Sequence, residues 1–180
     1  TYGAAGDTGG CWRVFPARED AQNGWGGLPV WGCATIVSSI VDGLDEGERV
    51  YGYFPPADFL VMRPNKLTSS RFEDGSIHRA ELPAVYNNYV RLENESGYDQ
   101  SVDNIRSLLT PLHITSFCLC DALNSDSFYD AEQIIVLITS SRTAICMAQC
   151  VLDSCESPNT IGNPALSTYN IISSLLFSSH

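Results

Sequence analysis

The sequence predicts an α+β chain that passes into α/β: a β-meander or small barrel first, then a helical segment and the opening of a βαβ unit. Three observations predict it. Residues 28–64 alternate β-branched and aromatic runs with glycine-rich turns. From Val102 the apolar spacing changes to a helical period. The apolar run at 133–139 is followed by Ser140-Ser141 and a second helical pattern. Runs bounded by Gly and Pro read as strands, and a run apolar throughout suits a parallel strand covered on both faces.

Taken in order, Cys11-Trp12-Arg13-Val14-Phe15-Pro16 reads as a strand ending at proline, and residues 23–27 as a glycine-rich turn. Val30, Ile36, Val37, Ile40 and Val41 are β-branched and precede a polar turn at 42–47. Glu48 opens the next strand, through Val50, Tyr51 and Tyr53 to Phe54, and Pro55-Pro56 stops it. Residues 58–62 form a third short apolar run before Pro64. Residues 65–75 read as polar loop, 77–89 as an apolar and aromatic mixture around Pro83, and 93–101 as a polar connector.

Ile105, Leu108, Leu109, Leu112, Ser116, Leu119 and Leu123 then fall near helical spacing, with Ser101 as N-cap and Asp103 in the first turn. Pro111 lies inside the pattern without an N–H to donate, which predicts a short helix, a turn, and a second helix from Pro111 to Leu123. After the apolar run, Thr143, Ala144, Met147, Ala148, Val151 and Leu152 define a further helix. These elements divide the chain into residues 1–100, 101–154 and an atypical Ser/Asn/Pro-rich tail at 155–180.

With 180 residues, 44% of them hydrophobic, the chain has material for a sizeable core. A net charge of −11 repels polyanions and argues against nucleic-acid binding. No basic-then-apolar segment resembles a secretory signal, and the apolar stretch at 134–138 is far short of the ~20 residues that span a bilayer. Seven cysteines, an odd count without any C-x-x-C pair, indicate reduced thiols and a cytoplasmic protein.

Five segments carry a resemblance: Pro29-Val30-Trp31-Gly32, the run from Gly47 to Pro55, His78-Arg79, the run from Leu82 to Asn87, and Ser140-Ser141-Arg142-Thr143-Ala144. Together they resemble the family called domain of unknown function 2855, which is related to the medium-chain dehydrogenases and quinone reductases. The resemblance spans residues 6–148. It implies a chaperonin-10-like β-barrel followed by an incomplete Rossmann-like βα unit. It also implies a dinucleotide site, with NADPH as cofactor, at the turn holding Ser140, Ser141, Arg142 and Thr143. Zinc-dependent relatives place Gly-His-Glu where this chain has Gly32-Cys33-Ala34, so the zinc-independent type is the nearer analogue and no metal is expected.

The residues themselves leave alternatives open. A helix N-terminus with Ser and Thr hydroxyls and an arginine favours a phosphate. No glycine stands between Thr139 and Leu152, however, and the dinucleotide fingerprint uses glycines for close approach to pyrophosphate. Ser140 capping the helix beside a solvated Arg142 explains the same residues. His78 and Tyr86 form a candidate acid pair for protonation after hydride transfer; packing at a seam is the alternative. Tyr51 and Tyr53 share one strand face, to line a substrate cleft or fill a core. Cys146 and Cys150, one helical turn apart, read as small buried hydrophobes.

Two functional readings follow. One is a zinc-independent, NADPH-dependent reductase of enones, quinones or related carbonyl compounds, with Tyr53, His78 and Tyr86 near the substrate. The other is a non-catalytic dehydrogenase-derived module or truncated fragment that binds no cofactor and self-associates through 134–138. The second draws on the 41 residues that remain after Thr139 (180 − 139), few for a doubly wound domain. The expected partners are a small-molecule carbonyl substrate and a second copy in a homodimer, with neither nucleic acid nor membrane.

Overall fold

A computed structural model describes residues 11–16, 27–131, 134, 136 and 141–156. It divides into two compact units, residues 1–108 and 109–180. The fold is mixed α+β: five antiparallel strands and two long helices.

In the first unit, α1 (Cys11–Val14) is a single helical turn where the sequence reading expects a strand. Its last residue, Val14, is buried. The sheet is built from β1 (Val30–Thr35), β2 (Arg49–Phe54), β3 (Pro64–Asn65), β4 (Arg71–Asp74) and β5 (Asn88–Arg91), in the order β1-β2-β5-β4-β3. This is an open sheet with β1 and β3 at its edges; among the described residues the strands do not close into the expected barrel. The turn between β1 and β2 uses two left-handed glycines, Gly43 at φ 79° and Gly47 at φ 89°, a region that side chains disfavour. Gly47 N–H returns to Ile36 O at 2.8 Å and closes the turn.

Strand alternation sorts β2 into two faces. Val50 and Phe54 point into a core of Leu44, Val50, Phe72 and Tyr89, flanked by Ala34, Ile36, Val41, Met62 and Leu67. Tyr51 and Tyr53 take the opposite face, as their spacing predicts. In register, Trp31 pairs with Tyr53 and Cys33 with Tyr51. The apolar run at 58–62 is not a strand; Phe59 and Val61 are exposed after Pro55-Pro56, and pairing resumes only at Pro64. Conversely β4 lies inside the stretch read as loop. A single apolar residue, Phe72, stacks on Tyr89 with ring centroids 5.4 Å apart and fixes the strand.

Helix α2 (Asp103–Ser125) runs unbroken through Pro111. The proline removes one ladder donor, a local cost that leaves the turns on either side intact. Asp99, not Ser101, caps the approach: its carboxylate accepts from Ser101 N–H at 2.9 Å, starting a 3-10 turn, Gln100–Val102, that leads into α2. In the second unit, α3 (Arg142–Glu156) coincides with the predicted helix. Cys120, Phe128, Cys150 and Val151 form its core, with Leu123, Ile134 and Met147 against them. The expected strand at 133–139 lies outside the described residues except Ile134 and Val136, which carry no strand assignment, so the Rossmann-like unit has no described strand. The tail from 157 onward, like Ser140, lies outside the described residues. No helix among the described residues is long and apolar enough to cross a membrane.

Candidate functional site

The first unit gathers aromatic rings on the outer face of β1 and β2. Trp31 stacks on Tyr51 at 5.8 Å and leans on Tyr53 at 5.1 Å. Tyr86, from the 3-10 turn Ala84–Tyr86, reaches the same cluster: its ring lies 5.0 Å from Tyr53 and 6.2 Å from Trp31. Phe15 closes one side, 6.5 Å from Tyr53. Tyr51 and Tyr53 are buried, whereas Trp31 and Tyr86 are half-buried. The accessible part of this face is therefore the flat surface of Trp31 and Tyr86, backed by the buried rings of Tyr51 and Tyr53 and suited to stacking against a planar molecule.

Of the three residues expected near a substrate, the fold brings Tyr53 and Tyr86 together. His78 stands elsewhere in bonding: it is exposed, and its Nε2–H donates to Val14 O at 3.3 Å, tying the 3-10 turn Ile77–Arg79 to α1. Its neighbour Arg79, fully buried, organises this end of the unit. The guanidinium donates to Asp74 Oδ2 at 2.7 Å, to Tyr89 Oη at 3.1 Å and to the Tyr86 carbonyl, and it lies over the Phe15 ring, 4.5 Å from the centroid. Tyr89 O–H in turn donates to Tyr53 O at 2.9 Å. Burial first of all pushes the Tyr89 phenol above its ordinary pKa, although Arg79 pulls the other way. Arg79 thus holds both the backbone of Tyr86 and, through Tyr89, that of Tyr53. Sequence reasoning named Arg79 only beside His78; its pairing with Asp74 and Tyr86 has no local signal.

A second polar group sits where β1 and β2 meet the start of α2. Arg49 Nε donates to Asp103 Oδ2 at 3.0 Å and to Tyr98 Oη at 3.2 Å, and Tyr98 O–H donates to Asp103 Oδ1 at 3.1 Å. Cys33 Sγ lies 3.9 Å from Ser107 Oγ. Burial, then the nearby Asp103 carboxylate, pushes the Cys33 thiol up and keeps it protonated. That makes Cys33 a poor nucleophile. No group of three or more His, Cys, Asp or Glu among the described residues could hold a metal ion.

In the second unit, Ser141 precedes α3 and its carbonyl accepts Ile145 N–H at 3.1 Å, the first rung of the ladder. Arg142 is exposed at the first helical position, and Thr143 is half-buried. The Thr143 carbonyl accepts from Ser116 Oγ at 2.8 Å. The amides of Arg142, Thr143 and Ala144 precede that first rung, as free donors do at any helix start. Of the proposed phosphate residues, Ser141, Arg142 and Thr143 therefore stand at a helix N-terminus; Ser140 lies outside the described residues.

Comparison with curated proteins found no match. Comparison with solved structures also found none. A family model described as a protein of unknown function (DUF2855) matches residues 1–166, most of the chain, and the chain belongs to that family.

Proposed function

We propose that this protein is an oxidoreductase of the medium-chain dehydrogenase type: a cytoplasmic, zinc-independent reductase that uses NADPH to reduce enones, quinones or related carbonyl compounds. The observation that carries the reading is the convergence of Tyr53 and Tyr86 on the half-buried Trp31, a surface fitted to a flat conjugated carbonyl compound. The phenols would place a proton donor beside such a substrate. In this reading the chain works as a homodimer.

The residues at the start of α3 fit a phosphate in part. Arg142 is exposed, no ion pair holds it among the described residues, and Ser141 and Thr143 flank it. When bound, NADPH would supply the hydride. The protein's share would be to hold phosphate oxygens on Arg142 and the first amides of α3, and to seat the substrate against Trp31. A second reading, a module that binds no cofactor, is favoured by the lack of glycine between Thr139 and Leu152.

A thermal melt of the full chain with and without excess NADPH separates them. A ligand that binds only the folded state stabilises it by about 2.7 kcal/mol at a hundredfold excess over its Kd. The reductase reading expects an upward shift that Arg142→Ala reduces severalfold, followed by NADPH oxidation with a quinone. A cooperative melt that NADPH leaves unmoved would overturn it in favour of the module.

A further inference from the structure

The second unit places two buried thiols, one on α2 and one on α3, in one core cluster. Ser116, fully buried on α2, donates to the Thr143 carbonyl of α3 at 2.8 Å, which brings the two backbones close. One turn further along α2 stands Cys120, and further along α3 stand Cys146 and, one turn on, Cys150. Cys120 and Cys150 are both buried, 3% and 7% exposed, and belong to one core cluster with Phe128 and Val151. The Cys150 thiol is pushed up first by burial and next by Cys120, ahead of Cys146 on its own helix. Cys146 is half-buried, and Cys118, on the same turn of α2 as Cys120, faces solvent.

We propose that Cys120 and Cys150 form an oxidisable pair whose disulfide ties α2 to α3. A hydroperoxide is the oxidant. One thiolate attacks the peroxide oxygen, the O–O bond breaks, and a sulfenic acid forms while the peroxide leaves as water or an alcohol. The second thiol displaces the sulfenic hydroxyl, which leaves as water with the second thiol's proton; an S–S bond results. Two sulfurs lose two electrons and the peroxide gains them. Because both thiols are buried, the reaction waits on transient opening of the seam between α2 and α3. It is therefore slow compared with oxidation of exposed cysteines.

The bond closes a loop of about thirty residues and removes freedom from the unfolded chain. The proposal concerns the seam alone and stands whether or not the start of α3 binds a phosphate.

The test uses the full chain, reduced, freed of reductant and treated with a small excess of hydrogen peroxide. Remaining thiols are then alkylated in denaturant and the digest is mapped by mass spectrometry. The expected result is a linked pair of peptides carrying Cys120 and Cys150, two hydrogen masses below their sum. The melting midpoint should also rise by several degrees, and dithiothreitol should reverse the rise. Cys146→Ala should keep both effects, and Cys120→Ala should lose both. Should Cys120→Ala fail to fold, the map of the unmutated protein decides by itself. A link from Cys146 or Cys118 instead, a bond between chains, or sulfinic acids at Cys120 and Cys150 without a link would each overturn the proposal.

Discussion

A Cβ built on Gly52 lies 2.3 Å from Cδ1 of Tyr89 and 2.6 Å from Cε1, because the ring of Tyr89 lies flat against the glycine of the neighbouring strand. Antiparallel pairing of Val50 with Arg91 and Tyr51 with Val90 brings these two positions opposite each other. The ring has little room to retreat. Phe72 stacks on it from β4, and its hydroxyl is held between Tyr53 O and Arg79. Gly52→Ala should therefore destabilise the protein by about 2–3 kcal/mol through overpacking. Gly32, on the adjacent strand, has nothing within 4 Å of a built Cβ, so Gly32→Ala should be nearly neutral. Urea denaturation of both variants checks the contrast; equal midpoints would refute the close approach.

The buried pair Arg79–Asp74 makes a second prediction. Both side chains are almost wholly removed from water, and Asp74 also accepts from Arg63 N–H, Ser76 N–H and the Ser76 hydroxyl. Removing the carboxylate by Asp74→Ala leaves a buried guanidinium without its counter-charge, at a cost of about 3–5 kcal/mol. The double variant Asp74→Leu with Arg79→Met should recover much of that loss, since it removes the stranded charge along with its partner. Chemical denaturation measures the cycle. A double variant no more stable than Asp74→Ala would show that packing, not charge, governs the site.

Backbone strain supplies a third. Ser127, Phe128, Tyr129 and Asp130 all take positive φ, between 50° and 56°, a conformation that costs side-chain-bearing residues about 1–2 kcal/mol each. Phe128 is buried in the second core, which offsets its own strain, but Asp130 is exposed. Asp130→Gly relieves strain in the folded state while loosening the unfolded chain, and the first effect should prevail by about 1 kcal/mol. The measured sign decides: a lower melting midpoint would contradict the left-handed turn.

What could be read from sequence follows a physical divide. β2 and α3 are set by local pattern, alternation in one case and helical spacing in the other, and both patterns survive folding; β1 ends at Thr35, so Ile36, Val37, Ile40 and Val41, read with Val30 as strand residues, lie beyond it in the turn region. β4 has one apolar residue in four; its strand character comes from Phe72 meeting Tyr89, a contact between segments that no local rule weighs. Pro111 misled for the opposite reason, because a local cost was assigned more weight than a helix anchored on both sides of it. Asp103 is held by Arg49 at one end, and Ser116 bonds to Thr143 beyond the proline. In the candidate site, the shared face of Tyr51 and Tyr53 was legible from spacing. Tyr86 was expected there as well, but not the contact that positions it, Arg79 gripping the Tyr86 carbonyl, which joins segments with no local signal.

The last prediction concerns pH and Asp99. Its carboxylate accepts from the Ser101 hydroxyl at 2.7 Å and from the Ser101 amide at 2.9 Å. The hydroxyl first, and then the amide, hold its pKa below the ordinary carboxylate value. The folded state therefore binds this proton more weakly than the unfolded chain does. The stabilisation is fully present above the unfolded carboxylate pKa and disappears as pH falls through the lowered folded value. Asp99→Ala should thus lower the melting midpoint at pH 7, with the gap to the unmutated protein closing as the pH falls below the ordinary carboxylate range. Asp99→Asn retains an acceptor for the Ser101 amide and should sit between the two at pH 7, with no titration of its own at this position. Melting curves of all three proteins between neutral and acid pH provide the check. A gap that stays constant across that range would assign the effect of Asp99 to shape rather than to charge at the entry to α2.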